Sequence, residues 1–431
     1  MYRWLGGVVP VNLKLIPPIY PVPSKQPSLF FMLMIFTVFA LSGVALTLLL
    51  WPGRLAKEGA VFWMAMVGIP VGIGFLVALI PYWRHAGKLR EWQARHDIRE
   101  QRKSVLYAYG QRPLSILSAM FVVSSIDDEN SVDGIASGKL RLESRMLPDR
   151  KRSMRARWLA APDFEEGQSV EAYDEDRQRK AIQVGFKRVI KELGPTLRKL
   201  PDGIPRRVEL DLHTLISQDE CGTLWKEAWD EQEMPYAEAV VQRAQASVMR
   251  LDAWLDTKDA DLNVVSLFVS VHLEPLMSGD PPAHSAESIV AMLFAPEVLA
   301  IAHEMSRIAT LHRPEAGTLS SLDSTLERAL IWGDTSADEV DHLWHTGFDE
   351  SKSGLFIARF RKVASGVRQS SSLSAKLHNL DESVGCAGRA RAWLAIACAA
   401  KYVPWTERRQ IVVGLDDDVV EIAVVRHPNF T

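Results

Sequence analysis

The sequence predicts an α/β domain with mixed sheets that follows a two-span transmembrane helical hairpin. Two stretches, 28–51 and 60–83, contain no charged residue and are each long enough to cross a hydrocarbon core of about 30 Å. Beyond them, short β-branched runs alternate with segments of helical periodicity, a pattern typical of helices layered over a sheet. Hydrophobic residues make up 47% of the chain and charged residues 24%, so a packed core is expected rather than disorder.

Both uncharged stretches are expected to be helices, because lipid offers no water to hydrogen-bond with backbone groups. Pro70 and the glycines around it predict a kink in the second helix. The first stretch is longer than the core of a signal peptide, which spans about 7–15 residues, and a second span follows it. A buried globular hairpin is the alternative, but it would not require two uncharged stretches of this length.

The distribution of basic residues predicts the orientation of the hairpin. A tail at 1–27 precedes it, and a basic juxtamembrane helix is predicted at 84–103, with Arg84, Lys88, Arg90, Arg95 and Arg99. The connector between the spans carries only Arg54 and Lys57. Both termini and the large domain are therefore expected in the cytoplasm. Binding of the basic helix to anionic lipid is an alternative to a plain topology signal.

Charge and cysteine content exclude several classes of protein. The chain has 50 Lys and Arg against 53 Asp and Glu, a balance that argues against a general nucleic-acid binder. Its three cysteines, Cys221, Cys386 and Cys398, are odd in number and widely spaced. They exclude a disulfide framework and a CxxC zinc site, and reduced cysteines fit a cytoplasmic domain.

The domain at 104–431 is predicted to have two halves, about 104–310 and 311–431. In the first half we expect strands within 104–126, helices at 177–200, 221–233 and 237–256, and strands at 206–212, 262–274 and 288–295. In the second half we expect an apolar segment at 325–333, a helix at 336–348, a strand at 353–363, a small-residue helix at 382–403 and a terminal hairpin that turns at 416–418. Ser336 and Glu339 are spaced for a capping box.

The stretch 378–425 resembles the last helix and final hairpin of the thiolase-like (ketoacyl synthase) fold. In that family a loop of the form G-H-T-x-G-A-A-G opens a long apolar helix, and two antiparallel strands follow. Here 381–388 reads DESVGCAG, with Gly385 and Gly388 as the loop glycines, and RARAWLAIACAA follows. The resemblance implies a layered thiolase-like fold, and the order of elements in 177–297 suits its first half.

The resemblance also implies where catalytic residues would stand, namely a cysteine at the start of a buried helix and histidines that share its proton. Glu382 aligns with the second-half histidine, and Cys386 aligns with an ordinary alanine. The nucleophile would fall just before the helix predicted near Ala237, where EMPYAEA contains no cysteine, whereas Cys221 opens a preceding helix. We therefore expect a catalytically inactive domain that needs no cofactor.

Predicted proteins with this architecture accompany bacterial type VI secretion effector genes, and the chain is similar to them. The resemblance implies an adaptor at the bacterial inner membrane that binds a protein client such as a secretion effector. The alternative is an enzyme acting on acyl or lipid-linked substrates, which requires Cys221 or Cys386 beside a histidine. The candidate bases are His213, His272, His312 and His378. A membrane sensor is a third hypothesis.

No other motif predicts a site. His303-Glu304 lacks the second histidine of HExxH because position 307 is arginine, and 134–139 is one residue short of a P-loop. His342 and His345 would share a face of the predicted helix at 336–348, and with Asp338 and Asp341 they could bind a metal. A solvated polar helix face is the preferred interpretation, so no metal site is predicted.

Overall fold

The computed structural model describes residues 11, 13–23, 25–52, 59–164, 167–242, 247–257, 263–367, 375–405 and 409–428. The first ten residues of the predicted tail and the connector at 53–58 lie outside this range. The described chain forms two compact units, Val11–Leu106 and the domain that begins at Tyr107.

The amino-terminal unit contains the two predicted hydrophobic helices. Helix α1, Leu29–Leu50, begins where the Ser28 hydroxyl accepts a hydrogen bond from the Phe31 amide. Helix α2, Ala60–Trp63, continues through a π-helical turn, Met64–Gly68, into α3, Ile69–Gly110. The π turn ends just before Pro70, which has no amide hydrogen to donate. A π-helical turn is therefore found where the sequence predicted a kink. The basic stretch at 84–103 belongs to α3.

The two long helices approach each other closely through small residues. A Cβ on Gly74 would lie 3.1 Å from the Phe36 carbonyl oxygen, and one on Gly43 would lie 2.6 Å from Pro70 Cβ. The Thr47 hydroxyl reaches across to the Ala65 carbonyl at 3.3 Å. Close backbone approach at small residues is common between membrane helices. By length and composition, Leu29–Leu50 and Ala60–Gly110 are candidate membrane spans.

The first half of the large domain follows the order of elements β1, α5, β4, α6, β5, α7, β6, β7, with short elements between and after them. Its elements are β1 Leu114–Val122, α4 Val132–Ala136, β2 Ser144–Met146, β3 Ser153–Arg155, α5 Val170–Arg198, β4 Arg206–His213, α6 Gln218–Glu231, β5 Glu238–Val241, α7 Met249–Leu255, β6 Val265–His272, β7 Ser288–Pro296 and α8 Glu297–Ala302.

The second half repeats that alternation. Its elements are β8 Ala309–Leu311, β9 Glu315–Thr318, α9 Leu322–Trp332, β10 Val340–Thr346, α10 Glu350–Val367, β11 Lys376–Asn379, α11 Leu380–Ser383, α12 Arg391–Tyr402, β12 Arg409–Asp416 and β13 Val419–Arg426.

The two halves share one strand topology. The order is β5-β4-β6-β7-β1 in the first half and β11-β10-β12-β13-β8 in the second. When the five strands of each half are numbered along the chain, leaving out β2, β3 and β9, both halves have the order third, second, fourth, fifth, first. In each half the fifth strand, β7 or β13, is antiparallel to its neighbours. Antiparallel pairing of β1 with β8 joins the halves, and β9 pairs with β13. The predicted mixed sheet is confirmed, and the repeated order indicates an internal duplication.

Helix α12 packs against strands of both halves of the sheet. It contacts β1 and β7 of the first half and β10 and β12 of the second. Its small residues, such as Ala395 and Ala399, are fully buried and allow close packing against these strands. Trp393 fills the remaining space against Phe268, with ring centroids 4.0 Å apart. Helices α5 and α6 cover the outer face of the first half, and α9 and α10 cover that of the second.

Four predicted elements are wrong. The helix predicted at 237–256 is a short edge strand, β5, followed by α7. The strands predicted within 104–126 are correct for β1 but wrong for 105–110, which form the end of α3. The strand predicted at 353–363 lies within α10, where Phe356 and Phe360 are buried four residues apart, the spacing of a helix face.

The fourth error concerns 336–348, which is strand β10 instead of a helix. The predicted capping box of Ser336 and Glu339 is present, but it caps a single 3₁₀ turn that leads into the strand. Both β11 and β12 pair with β10, so tertiary pairing overrides the local helical pattern. The terminal hairpin is confirmed as β12 and β13, which turn at Asp417.

Candidate functional site

Two histidines meet at the carboxyl edge of the first-half sheet. Strands β4 and β6 are parallel neighbours, and their last residues, His213 and His272, are directly in register. Their imidazole rings stack with centroids 4.6 Å apart and an interplanar angle of 10°. Ligands of open α/β sheets bind at the carboxyl ends of parallel strands, so this edge is a candidate site.

Glu274 completes a group that we call the His–Glu cluster: His213, His272 and Glu274. The His272 Nε2 atom lies 2.9 Å from Glu274 Oε1. One potential ligand atom from each of the three residues lies within 4.8 Å of the other two. The Glu274 amide donates to Glu287, whose carboxylate forms a buried ion pair with Arg177 at 2.8 Å. The backbone at Glu274 is therefore held by the core.

The surroundings set the protonation of the cluster. Burial lowers the pKa of His213, and the neighbouring His272 and Arg389 lower it further, so the ring is neutral near pH 7. Burial alone would raise the pKa of Glu274, but the hydrogen bond and charge of His272 outweigh it and lower that pKa. His272 is 4% exposed, and its Nδ1 atom is buried without a hydrogen-bond partner among the described residues.

The loop that resembles the family motif covers this cluster. Gly388 has φ +48°, and a Cβ there would lie 2.0 Å from His272 Nε2. Gly385, at φ +105°, fits between the carbonyl oxygens of His284 and Ser285. The backbone of Cys386 bridges the same segment, because its amide donates to His284 and its carbonyl accepts from Ala286. The two loop glycines therefore allow the start of α12 to pack on the histidines.

A polar face of β4 leads away from the cluster into the core. Glu209, Asp211 and His213 alternate along the strand and so point to one side of the sheet. Asp211 accepts a hydrogen bond from Ser270 on β6 at 3.2 Å. Glu209 pairs with Arg250 of α7, and both line a cavity of about 250 Å³ whose apolar wall includes Phe268 and Trp393.

None of the three cysteines has the surroundings of a reactive thiol. Cys221 is fully buried, its thiol points to the Ile216 carbonyl, and burial raises its pKa to about 12. Burial also raises the pKa of Cys398 in α12 and of half-buried Cys386, although Arg391 partly opposes the effect at Cys386. In the described part of the chain, no hydrogen bond joins a cysteine thiol to a histidine.

The fold relocates the position expected for a nucleophile. The helix that follows β5 is α7, so the loop before it is 242–248 instead of the residues before Ala237. Residues 243–246 lie outside the described residues, and the sequence of the loop, QRAQASV, contains no cysteine. At its end the Ser247 hydroxyl bonds to the Glu421 carboxylate, and burial raises the pKa of Glu421.

Glu382, the residue aligned with the family's histidine, is exposed at the carboxyl edge of the second-half sheet. It accepts a hydrogen bond from Asn379 at 2.8 Å. Its neighbour Asp381 accepts from the Thr346 hydroxyl at 2.8 Å and from the Gly347 amide at 2.6 Å. These contacts connect the loop to the end of β10.

His312, His342, His345 and His378 lie outside the His–Glu cluster. His312 is buried against the Trp332 carbonyl, and burial lowers its pKa to about 4. The prediction that His342 and His345 share a helix face is wrong, because they lie on opposite faces of β10. His342 Nδ1 instead lies 2.9 Å from Nε2 of His378, while His345 is buried beside Phe348.

The basic juxtamembrane residues lie along the surface of α3. Arg84, Lys88, Arg90 and Arg95 are exposed, and Arg95 pairs with Glu91 at 2.5 Å. Half-buried Arg99 donates to the Pro17 carbonyl at 3.1 Å. Binding of this surface to lipid stays a prediction.

The sequence contained a signal for the His–Glu cluster that our interpretation did not use. Two strand-like runs, RRVELDLH and SLFVSVH, each end in a histidine. Parallel neighbours would place both at one edge of a sheet, but the sequence does not reveal which strands pair. The histidines had been considered only as bases for a cysteine, and Glu274 had not been considered.

Comparisons with known proteins give structural matches only. No sequence-family model matches the chain, and no curated protein matches it. Among solved structures it is similar to the oxazolomycin ketosynthase domain of Streptomyces albus JA3453, with 11% identity, a TM-score of 0.52 and coverage of 73% of this chain and 74% of that one.

Two ketosynthases of bacillaene synthase are also similar. The module 1 domain from Bacillus amyloliquefaciens FZB42 has 9% identity, a TM-score of 0.53 and coverage of 74% of this chain and 76% of that one. The module 6 domain from Bacillus subtilis 168 has 8% identity, a TM-score of 0.53 and coverage of 73% and 72%. Such identities establish the fold alone. The large domain has the mixed α/β, thiolase-like fold of the ketosynthases, preceded by two candidate membrane helices.

Proposed function

We propose that the chain is a membrane-anchored adaptor, in which a thiolase-like domain binds a protein client and performs no cysteine-dependent condensation. The observation that carries this proposal is the state of the thiols. A cysteine nucleophile requires a thiolate beside a base. Here the loop before α7 contains no cysteine, and burial raises the pKa of Cys221, Cys386 and Cys398.

Arg391, the first residue of α12, makes its contacts within the domain. The Arg391 guanidinium donates to the carbonyl oxygens of Gly388 and Leu415, each at 2.7 Å, and pairs with Asp416 at 3.0 Å. These bonds fix a long cationic side chain beside Cys386. They support a stable structural role for this loop instead of turnover of a substrate.

The anchor is the second part of the proposal. Two candidate spans precede the domain, and the basic residues that follow the second span favour a cytoplasmic domain at a bacterial inner membrane. An adaptor held in this way raises the local concentration of its client at the membrane. From the resemblance to proteins that accompany type VI secretion effector genes, the proposed client is a secretion effector.

The catalytic alternative can be tested on the full-length protein in detergent. We would incubate it with an acyl-coenzyme A and measure intact mass, with Cys386→Ala as the matched variant. We expect no acyl adduct on either protein. A stoichiometric adduct on the wild type that is lost in Cys386→Ala would refute the non-catalytic proposal and favour an acyl-transfer enzyme.

The adaptor role is tested by purifying the tagged full-length protein from its native membrane in mild detergent. We expect one protein partner at constant stoichiometry, identified by mass spectrometry. A matched sample with the hairpin alone, residues 1–106, should lose that partner. Retention of the partner by the hairpin, or recovery of only acyl or lipid species with the full chain, would contradict a client-binding domain.

A further inference from the structure

We propose that the His–Glu cluster, His213, His272 and Glu274, binds a divalent transition-metal ion of the zinc class. This inference does not depend on the adaptor proposal, since a metal here could stabilise the fold or bind a ligand in either case. It rests on the placement of the three side chains and on the packing around them.

The donor set is one that zinc prefers. Two imidazoles and one carboxylate suit zinc and its neighbours in the first transition row, whereas calcium and magnesium prefer sites made of oxygen alone. Three protein ligands leave a fourth tetrahedral position for water or for another ligand.

The distances require only a local adjustment. The three ligand atoms lie within 4.8 Å of one another, and ligands about 2.0–2.1 Å from a tetrahedral zinc ion lie about 3.4 Å apart. The His213 ring must therefore turn toward His272 and Glu274, whose ligand atoms are already 2.9 Å apart. His213 is half-buried at the end of β4 and can change its side-chain torsion, whereas His272 and Glu274 are held in the core.

The His272 ring already presents one nitrogen to Glu274. Its Nε2 atom lies 2.9 Å from Glu274 Oε1, so Nε2 is the nitrogen that would share an ion with Glu274. A metal requires neutral imidazole and ionised carboxylate, so the ion would replace the proton in this hydrogen bond.

The glycine above the cluster supports the same inference. Gly388 packs against the edge of the His272 ring that carries Nε2, and a methyl group there would overlap the imidazole. The start of α12 therefore shields the cluster while adding no side chain to it. This packing limits the access of solvent to an ion bound at the cluster.

The test uses the full-length protein in detergent, purified with a tag that contains no histidine and stripped with a chelator. We would titrate Zn²⁺ alone by calorimetry and record the visible absorption of the Co²⁺ form. We expect one equivalent of Zn²⁺ to bind and a spectrum typical of four-coordinate cobalt. His213→Ala and Glu274→Gln should each weaken binding by at least about tenfold.

His303→Ala is the matched control, because His303 is exposed in a different part of the fold. It should bind Zn²⁺ as the wild type does. Thermal unfolding without metal verifies that each variant is folded, and Zn²⁺ should raise the Tm of the wild type and of His303→Ala alone. Absence of stoichiometric binding by the folded wild type, or equal binding by His213→Ala and Glu274→Gln, would show that the cluster is only a hydrogen-bonded pair with a stacked ring.

Discussion

Replacing Gly388 by alanine tests how the start of α12 packs on the first-half sheet. Gly388 has φ +48°, and its new Cβ would lie 2.0 Å from Nε2 and 2.1 Å from Cε1 of His272. The imidazole must therefore move, because real Cβ contacts do not occur at such distances. His272 is 4% exposed and bonds to Glu274, so movement breaks a buried hydrogen bond.

The magnitude follows from two contributions. An L-residue in the left-handed region costs about 1–2 kcal/mol. Leaving a buried hydrogen-bonding group unsatisfied costs about 1–3 kcal/mol more. Gly138→Ala is the matched control, since Gly138 has φ +73° and a Cβ there meets no atom within 4 Å. Gly138→Ala has only the backbone contribution, and Gly388→Ala also loses the hydrogen bond. The two variants should therefore differ by about 1–3 kcal/mol in the free energy of unfolding.

The assay is thermal unfolding of the full-length protein in detergent, followed by tryptophan fluorescence. For a domain of this size about 1 kcal/mol lowers Tm by roughly 2 °C, so Gly388→Ala should unfold about 2–6 °C below Gly138→Ala. Equal Tm values for the two variants would refute the close packing of Gly388 on His272.

Three further outcomes are expected. Arg177→Met leaves buried Glu287 without its partner and should lower the free energy of unfolding, measured with denaturant, by about 3–5 kcal/mol. Arg150→Met, at the exposed pair with Asp163, should lower it by less than about 1 kcal/mol. His312 has a pKa of about 4 in the folded protein and 6.5 in the unfolded chain. Between these two pH values the unfolded chain binds a proton at His312 that the folded protein does not bind. Stability should therefore fall as the pH is lowered through that range, by up to about 1.4 kcal/mol per pH unit, and less steeply in His312→Asn. A fluorescent protein fused to the carboxyl terminus should fluoresce in a bacterial host, and alkaline phosphatase fused there should be inactive, if the domain is cytoplasmic.

Each of these outcomes has a clear contrary result. Equal losses for the two arginine variants would mean that burial does not decide the strength of the ion pairs. An unchanged pH slope in His312→Asn would mean that this histidine is not held neutral by burial. An active phosphatase fusion would reverse the proposed orientation of the hairpin.

The predictions from sequence succeeded where local pattern decides structure. The helix at α5, the strands β6 and β7 and the terminal hairpin follow from periodicity within one segment. They failed at β10 and α10, where the local pattern and the tertiary partners disagree. Residues 336–348 read as a helix, but pairing with two neighbouring strands makes them part of the sheet.

The candidate site was the least predictable feature. Glu382 and Cys386 were selected by alignment to a motif, and Cys221 was selected because it opens a predicted helix. Each is held by ordinary structural contacts. The His–Glu cluster instead depends on the register of two parallel strands that are far apart in the chain. That register follows from the whole sheet, so no local pattern of residues contains it.

The sequence by itself determined the hydrophobic hairpin and the α/β character of the domain. These features depend on composition and short-range periodicity, which are present in the chain before it folds. Only the tertiary structure decided that His213 meets His272 beneath Gly388, and that Cys221 and Cys398 are sealed in the core. Strand order and burial are properties of the packed whole, because each contact requires all the others to be in place.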